Sequence, residues 1–197
     1  MKIAIIGATG HLGGAAAREA QERGHRVTSL SRPAVDILDA ESVARAVARH
    51  DAVVVAVKGD DHVVPRGAEI LIEALGAADV RRLIFVGGGG SLEQPPGQRI
   101  VDAPEFPPQY LATALDQAAA LEIFRKSGDA IDWSYASPPP VHLVDGAKTG
   151  QYRVQARDTP IVDEAGESRI TVGDFASAII DVVENGRFIR ERFTAAH

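Results

Sequence analysis

A short apolar run that ends in three evenly spaced glycines opens this chain. Residues 2–13 read KIAIIGATGHLG, with Gly7, Gly10 and Gly13 between the apolar run and an alanine-rich helical pattern. Strand, glycine turn and helix in this order are how a dinucleotide-binding fold holds a pyrophosphate. Gly7 would turn the chain, Gly10 would let the backbone approach the phosphates, and Gly13 would let the helix pack on the sheet. The stretch therefore predicts a phosphate-binding helix N-terminus, and a tight turn without a ligand is the alternative.

Short apolar runs alternate with helical patterns along the rest of the chain. The expected strands are residues 2–7, 26–31, 52–57, 82–86, 130–136 and 192–195. The expected helices are residues 12–23, 68–78, 111–126 and 172–184, and a further helix that is capped by Asp39 or Ser42 and runs to about residue 49. Such alternation predicts an α/β fold of the Rossmann type, a three-layer sandwich around a mostly parallel sheet.

The whole chain is expected to form one domain. We expect residues 1–197 to be a single NAD(P)-binding Rossmann domain. A small substrate-side region would be formed by about residues 88–110 and 138–170, and residues 146–166 could contain a hairpin. The carboxyl ends of the parallel strands should form the ligand-binding edge.

Composition and charge exclude several functional classes. The chain has 197 residues, no cysteine and a formal net charge of −6. Disulfides, thiolate nucleophiles and cysteine-ligated metals are therefore excluded, and the charge favours neither nucleic acid nor anionic membranes as partners. The histidines show no metal-ligand spacing, and no apolar run approaches the roughly 20 residues needed to span a bilayer. We expect a cytoplasmic monomer or homodimer without a metal.

The end of the second expected strand predicts which dinucleotide binds. An acidic residue there would favour NAD by accepting from the ribose 2′-hydroxyl, but this chain has Ser31 and Arg32. The guanidinium presents a fork of donors suited to a 2′-phosphate, so the pair predicts NADP. Asp36 could accept from the adenine amino group or could serve as a turn or cap residue.

Four segments resemble the atypical short-chain dehydrogenase/reductases. They are GATGHLG at 7–13, VGGGGSL at 86–92, DWSYASP at 132–138 and GESRITVGDFA at 166–176. Within that family they are most similar to the NADH-flavin reductase group, related to biliverdin reductase B and NmrA-like proteins. The resemblance extends over nearly the whole chain, and the second and third segments are the ones that point to this group.

The resemblance implies a set of cofactor-binding residues. The residues expected around the pyrophosphate are Gly7, Thr9, Gly10, His11, Leu12 and Gly13. Ser31 and Arg32 would bind the adenosine phosphate. The segment expected under the adenine and ribose is Ala56, Val57 and Lys58, and the residues expected near the nicotinamide and its ribose are Gly87, Gly88, Ser137 and Pro138.

The chain departs from the wider superfamily at the catalytic motif. Typical members have a Tyr-x-x-x-Lys pair, in which lysine helps tyrosine to act as an acid. Here Tyr110 is followed at the lysine position by Ala114. This difference disfavours the standard alcohol–ketone mechanism, and it also disfavours dehydratase or epimerase activity.

Three residues are candidates for contact with a substrate. Ser91 could donate a hydrogen bond to an acceptor carbonyl, or it could bond to the turn backbone instead. Tyr110 could stack on a planar substrate or pack in the core, and His142 could line the pocket and protonate the product.

Together the patterns predict an NADPH-dependent reductase that transfers hydride to a planar small molecule such as a flavin or quinone. Such acceptors need no dedicated strong acid, because solvent can protonate the reduced product. The alternatives are a non-catalytic NADP-binding redox sensor of the NmrA-like type, and a carbonyl reductase or isomerase of a biosynthetic pathway.

Overall fold

A computed structural model describes residues 1–59 and 61–197 of the chain, without the side chain of His142. The α-helices of this described part are α1 (His11–Glu22), α2 (Ala40–Val47), α3 (Val63–Ala77), α4 (Pro108–Lys126) and α5 (Val172–Asn185). The strands of the same part are β1 (Lys2–Ile6), β2 (Arg26–Leu30), β3 (Ala52–Val55), β4 (Arg82–Val86), β5 (Asp132–Ser137), β6 (His142–Val144), β7 (Arg153–Ala156), β8 (Arg169–Thr171) and β9 (Glu191–Ala196).

The main sheet has seven strands in the order β2-β1-β3-β4-β5-β9-β7. All neighbouring pairs are parallel except β7 and β9, which are antiparallel. The register sets Ile6 beside Val55, Val55 beside Phe85, and Phe85 beside Tyr135. The carboxyl ends of the central strands therefore lie along one edge, where ligands bind in open parallel sheets.

Helices cover both faces of this sheet. Strands β3 and β4 alternate between the two faces, so that Val53 and Phe85 pack in one cluster while Val54 and Ile84 pack in the other. The first cluster includes buried residues of α2, α3 and α4, and the second includes residues of α1 and α5. Because both faces are buried, these strands are almost entirely apolar. The predicted three-layer Rossmann-type sandwich with a mostly parallel sheet is confirmed.

The predicted hairpin within residues 146–166 is wrong. Strand β7 pairs with β9 at the edge of the main sheet, whereas β6 pairs in parallel with β8 in a separate two-stranded sheet. A hairpin requires adjacent segments to pair, but here each strand finds its partner far along the chain. The division into one domain with a smaller substrate-side region remains a prediction.

Helix α3 begins earlier than its apolar pattern indicates. It starts at Val63 rather than near residue 68, and Pro65 lies in its first turn. Proline is tolerated there because the first N–H groups of a helix have no intrahelical partner. The earlier start brings this end of the helix to the edge that carries the site.

Candidate cofactor-binding site

The glycine turn after β1 leaves no room for side chains at two positions. Gly7 has a φ of +89°, and a Cβ at this residue would lie 2.1 Å from the carbonyl oxygen of Ala56. A Cβ on Gly13 would lie 2.2 Å from the carbonyl oxygen of Gly7. The N–H of Gly10 donates to that same oxygen at 2.9 Å. The turn thus has the compact backbone that a bound pyrophosphate requires.

The N-terminus of α1 is open to an anion. Gly10 is its N-cap, no side chain caps it with a hydrogen bond, and its first turn contains no acidic residue. The first N–H groups of a helix lack intrahelical partners, and the helix dipole adds partial positive charge. His11, Leu12 and Gly13 supply these groups, and Nε2 of His11 lies 2.9 Å from the exposed carboxylate of Asp145. The geometry suits the phosphate contacts that the resemblance implies.

A cleft of about 500 Å³ extends from this turn along the carboxyl ends of β1, β2 and β3. The predicted cofactor residues that line it are Gly7, Thr9, Gly10, Ser31, Arg32, Asp36, Ala56, Val57 and Lys58. It also contains residues that the sequence did not single out, among them the apolar Val35 and Ile37. The cleft therefore brings together the predicted pyrophosphate and adenosine contacts.

The charged groups at the β2 end of the cleft fit a phosphorylated ribose. Arg32 is exposed and, within the described residues, forms no ion pair with an acidic side chain. One carboxylate oxygen of Asp36 accepts from the N–H of Leu38 at 2.9 Å, which shows the turn role that was one of its two predicted alternatives. Its other oxygen makes no hydrogen bond within the described part of the chain.

The other four predicted cofactor residues lie at the carboxyl ends of β4 and β5: Gly87 and Gly88 follow β4, Ser137 is the last residue of β5, and Pro138 follows it. A Cβ on Gly87 would lie 2.0 Å from the Tyr135 ring, so glycine is required there. Gly89 packs against the segment Pro138–Pro140, since a Cβ on it would meet the Pro138 carbonyl oxygen at 2.8 Å. The Oγ of Ser137 is buried without a hydrogen-bond partner in the described structure. Gly87, Gly88, Ser137 and Pro138 are thus adjacent, and the free hydroxyl is consistent with a polar ligand group nearby.

Ser91 is in the wrong place for the predicted contact with an acceptor. It is only 3% exposed, and its hydroxyl donates to the carbonyl oxygen of Gly88 at 3.3 Å. The guanidinium of Arg192 donates to the Ser91 carbonyl oxygen at 2.7 Å and to its hydroxyl at 3.1 Å. The structure therefore shows the other predicted alternative, a serine that bonds to the turn backbone.

Tyr110 is not a core residue. It lies in the first turn of α4 and is 62% exposed. Ala114, one turn later, faces the loop after β4, because a Cβ on Gly90 would lie 3.0 Å from the Cβ of Ala114. The ring is thus available to a ligand at this edge. The backbone of His142 lies in β6, but its side chain is outside the described residues, so its predicted role remains a prediction.

The other two tyrosines are unavailable as acids. The buried hydroxyl of Tyr135 donates to the carbonyl oxygen of Gln117 at 2.6 Å, and burial raises the pKa of Tyr135. Tyr152 donates to Asp181 at 2.6 Å, and burial followed by this carboxylate raises the pKa of Tyr152 as well. In the described structure, no tyrosine hydroxyl bonds to a lysine.

A histidine–aspartate pair that sequence reasoning missed lies beside the cleft. His62 precedes α3 between the cleft residues Asp61 and Val63, and its Nδ1 lies 2.6 Å from Oδ1 of Asp116 on α4. Asp116 is 54 residues further along the chain, so no local pattern could reveal the pair.

The described residues contain no group of three or more histidine and acidic side chains placed to bind a metal ion. Asp60, in the sequence Asp60-Asp61-His62, lies outside those residues. None of the described helices is both long and apolar enough to cross a bilayer.

The chain is similar to several known proteins over nearly its whole length. The chain is 37% identical over 209 residues to the uncharacterized protein YwnB of Bacillus subtilis, a match that covers 98% of this chain and 97% of that protein. It also resembles the crystal structure of a "putative exported protein" from Burkholderia pseudomallei, at 36% identity and a TM-score of 0.89, covering 100% of both chains.

Two further crystal structures have names that suggest different chemistry. A "putative NADH-flavin reductase" from Streptococcus pneumoniae is 30% identical, with a TM-score of 0.87 and coverage of 100% of this chain and 99% of that one. A "putative epimerase" from Bacteroides thetaiotaomicron is 32% identical, with a TM-score of 0.91 and coverage of 100% and 96%.

Two family models match the chain. One, described as the RmlD substrate binding domain, matches residues 1–59. The other, described as NAD(P)H-binding, matches residues 33–185 and thus most of the sequence. The matched residues include the cleft residues Asp36, Ala56, Val57 and Lys58, and the chain belongs to the NAD(P)H-binding family.

Proposed function

We propose that this protein is an NADPH-dependent reductase that transfers hydride to a planar acceptor such as a flavin or quinone. One observation carries the proposal: the protein has a dinucleotide cleft but no tyrosine–lysine pair in its described part. Tyr110 is exposed without a lysine partner, and the hydroxyls of Tyr135 and Tyr152 donate hydrogen bonds to Gln117 and Asp181. A hydride acceptor that requires no activated tyrosine suits this arrangement. The reductase name of the Streptococcus pneumoniae structure supports the same class.

The choice of NADPH depends on Arg32. Arg32 lines the cleft beside Ser31 just after β2, where an adenosine ribose binds in this fold. Because a bidentate guanidinium matches phosphate oxygens, Arg32 would bind the 2′-phosphate and Ser31 would add a hydrogen bond.

The chain's own residues would mainly bind the cofactor and the acceptor and orient them towards each other. The nicotinamide supplies the hydride when the cofactor is bound. The backbone at Gly10–Gly13 would hold the pyrophosphate, while Gly87, Gly88, Ser137 and Pro138 would position the nicotinamide end. Tyr110 would offer its exposed ring as a stacking surface for the acceptor. This arrangement contributes through proximity and orientation, which can lower a barrier substantially.

Steady-state oxidation of NADPH with FMN, riboflavin and a panel of quinones tests the proposal. We expect at least one acceptor to accelerate NADPH oxidation above the protein-free rate, and Gly13→Val to abolish this acceleration. NADPH binding should be measured in parallel by fluorescence. If NADPH binds but no acceptor increases turnover, the reductase proposal is wrong.

Two other functions remain candidates. The buried, fully bonded Ser91 favours a redox sensor, because it removes one of the expected contacts with a substrate. A sensor would bind a partner protein in a manner that depends on the NADPH/NADP ratio, which a pull-down at both extremes would detect. A carbonyl reductase or isomerase would need an acid such as Tyr110 or His142. If Tyr110 is that acid, Tyr110→Phe would abolish turnover while leaving cofactor binding intact.

Membership of the short-chain dehydrogenase/reductases, the cytoplasmic location and the monomeric or homodimeric state remain predictions. Cell fractionation tests the location, and the exported label of the Burkholderia pseudomallei protein makes that measurement worthwhile. Light scattering tests the oligomeric state.

A further inference from the structure

We infer that Gln117 is a positioning residue, which holds the nicotinamide end of the cofactor site at a fixed distance from the cleft. The inference rests on the proposed reductase function. It starts from two contacts of one amide: Nε2 donates to the carbonyl oxygen of Val57 at 3.3 Å, and Oε1 lies 3.3 Å from the hydroxyl of Tyr135. Val57 follows β3 and lines the cleft, whereas Tyr135 belongs to β5. The side chain therefore connects two segments that are separated in the sheet by β4.

The chemistry of its neighbours sets the orientation of this amide. A backbone carbonyl can only accept, so the amino group of Gln117 faces Val57, and the amide oxygen is left to face Tyr135. The Tyr135 hydroxyl also donates to the backbone carbonyl oxygen of Gln117 at 2.6 Å. Gln117 is only 6% exposed, and Tyr135 is fully buried. Because a buried polar group without a partner is costly, the amide is held in this orientation.

The same two side chains pack against the glycines that follow β4. A Cβ on Gly87 would lie 2.1 Å from the Tyr135 hydroxyl oxygen, and a Cβ on Gly88 would lie 3.4 Å from the Cβ of Gln117. Gly87 and Gly88 have no side chains of their own, so on this side their backbone can move only as far as the two neighbours allow. The proposed nicotinamide end therefore lies directly on Gln117 and Tyr135.

At its other end, the amide is bonded to a segment that lies against the pyrophosphate turn. A Cβ on Gly7 would lie 2.1 Å from the carbonyl oxygen of Ala56 and 3.4 Å from Cγ1 of Val57. A continuous series of contacts thus runs from the glycine turn after β1, through Val57 and Gln117, to Gly88. This series joins the two ends of the site that a bound dinucleotide would bridge.

These contacts matter more for hydride transfer than for cofactor affinity. Transfer requires donor and acceptor atoms that are close and aligned, and a misplacement of about 1 Å can cost about 100-fold in rate. Affinity depends mainly on groups elsewhere in the proposed site, the N–H groups of α1 and the guanidinium of Arg32. Loss of the amide contacts should therefore lower kcat and leave the KM for NADPH nearly unchanged. A residue that served stability alone would lower the Tm without separating these two constants.

Gln117→Met tests the inference, because methionine has nearly the same length and volume but offers no N–H group to Val57 and no carbonyl to Tyr135. We expect kcat for quinone reduction to fall by about tenfold and the KM for NADPH to change by less than about threefold. With NADPH deuterated at the transferred position, the isotope effect on kcat should increase, because hydride transfer becomes slow relative to the other steps. Equal changes in kcat and KM, or an unchanged kcat, would overturn the inference.

Tyr135→Phe is a smaller change that keeps the ring against Gly87 and removes only the hydroxyl. It should lower kcat by about threefold, and the double variant should lose less than the product of the single losses, because both changes remove one shared contact. If Gln117→Met does not fold, Tyr135→Phe decides the question by the same comparison of kcat with KM.

Val183→Ala is the matched control for lost stability. Val183 is buried near the end of α5, in the cluster on the opposite face of the sheet. The variant should lower the Tm and leave kcat and KM within about twofold of wild type, since the cavity that it creates lies outside the series of contacts.

The fluorescence lifetime of bound NADPH completes the test without turnover. A protein that immobilises the reduced nicotinamide lengthens this lifetime. Gln117→Met should bind NADPH with a Kd close to that of the wild type but lose about half of the lengthening, because its nicotinamide end is held less firmly. A variant lifetime equal to that of the wild type would contradict the inference. If the wild type binds NADPH but reduces no acceptor, the reductase proposal fails, and the lifetime still decides the role of Gln117.

Discussion

Gly13 packs against Gly7 so closely that a Cβ on residue 13 would lie 2.2 Å from the Gly7 carbonyl oxygen. Gly13→Ala must therefore displace α1 from the turn, and overpacking of this kind costs about 1–3 kcal/mol. Because the displaced helix also carries the anion-binding N–H groups, we expect NADPH affinity to fall by more than about tenfold. Denaturant unfolding and fluorescence titration measure the two effects.

Gly76→Ala is the matched control for Gly13→Ala. Gly76 lies near the end of α3, and a Cβ on it would have no atom within 4 Å. Alanine has a higher helix propensity, so the variant should be more stable by up to about 1 kcal/mol and should bind NADPH normally. If both variants bind like the wild type, the contact between Gly13 and Gly7 does not support the phosphate site.

Arg32→Ala should weaken NADPH binding much more than NADH binding. A charge-assisted hydrogen bond contributes about 1.5–3 kcal/mol, so we expect NADPH affinity to fall roughly 10- to 100-fold while NADH affinity changes little. Arg26→Ala is the control, because Arg26 lies at the opposite end of β2. A wild-type preference for NADH, measured by the same titration, would contradict the assignment of Arg32.

Tyr110→Ala and Tyr110→Phe together test the proposed stacking surface. The alanine variant loses the exposed ring, so the KM for a planar acceptor should rise about threefold to tenfold. The phenylalanine variant keeps the ring and should retain both kcat and KM within about twofold. Loss of kcat in the phenylalanine variant would instead identify the hydroxyl as an acid and favour the carbonyl reductase alternative.

The lowered pKa of Asp174 predicts that the folded protein loses stability at acidic pH. Burial acts to raise the pKa of this carboxylate, but hydrogen bonds from the N–H groups of Gly150 and Thr149, from the Thr149 hydroxyl and from His197 outweigh it and hold the pKa at about 2. Because the pKa is depressed on folding, the stabilisation is complete above the ordinary value of 3.8 and is lost as the pH falls towards 2.

The expected size of this effect is about 2 kcal/mol. We expect the difference in free energy of unfolding between wild type and Asp174→Asn to shrink by this amount between about pH 6 and pH 2. Denaturant unfolding across that range measures it. A difference that stays constant with pH would show that the carboxylate has an ordinary pKa.

Much of the cofactor half of the site could be predicted from the sequence because its signals are local. Gly7, Gly10 and Gly13 lie within seven consecutive residues, and the apolar runs that flank them follow strand and helix periods. The position of Arg32 follows from the end of β2, which lies beside β1 in this fold. Each of these inferences depends on a short segment and on the general rule that parallel strands end at one edge.

The substrate end of the site and the pairing of the last strands depend on contacts between segments that are distant in the sequence. Arg192 donates a hydrogen bond to Ser91, although the two residues are 101 positions apart in the sequence. Asp116 contacts His62, which is 54 positions earlier. Strand β7 likewise pairs with β9 instead of forming a local hairpin. The sequence by itself determined the alternation of strands and helices and the glycine turn, because local patterns encode them. Only the tertiary structure decided which side chains are buried, paired or free at the substrate end, because the docking of remote elements sets those contacts.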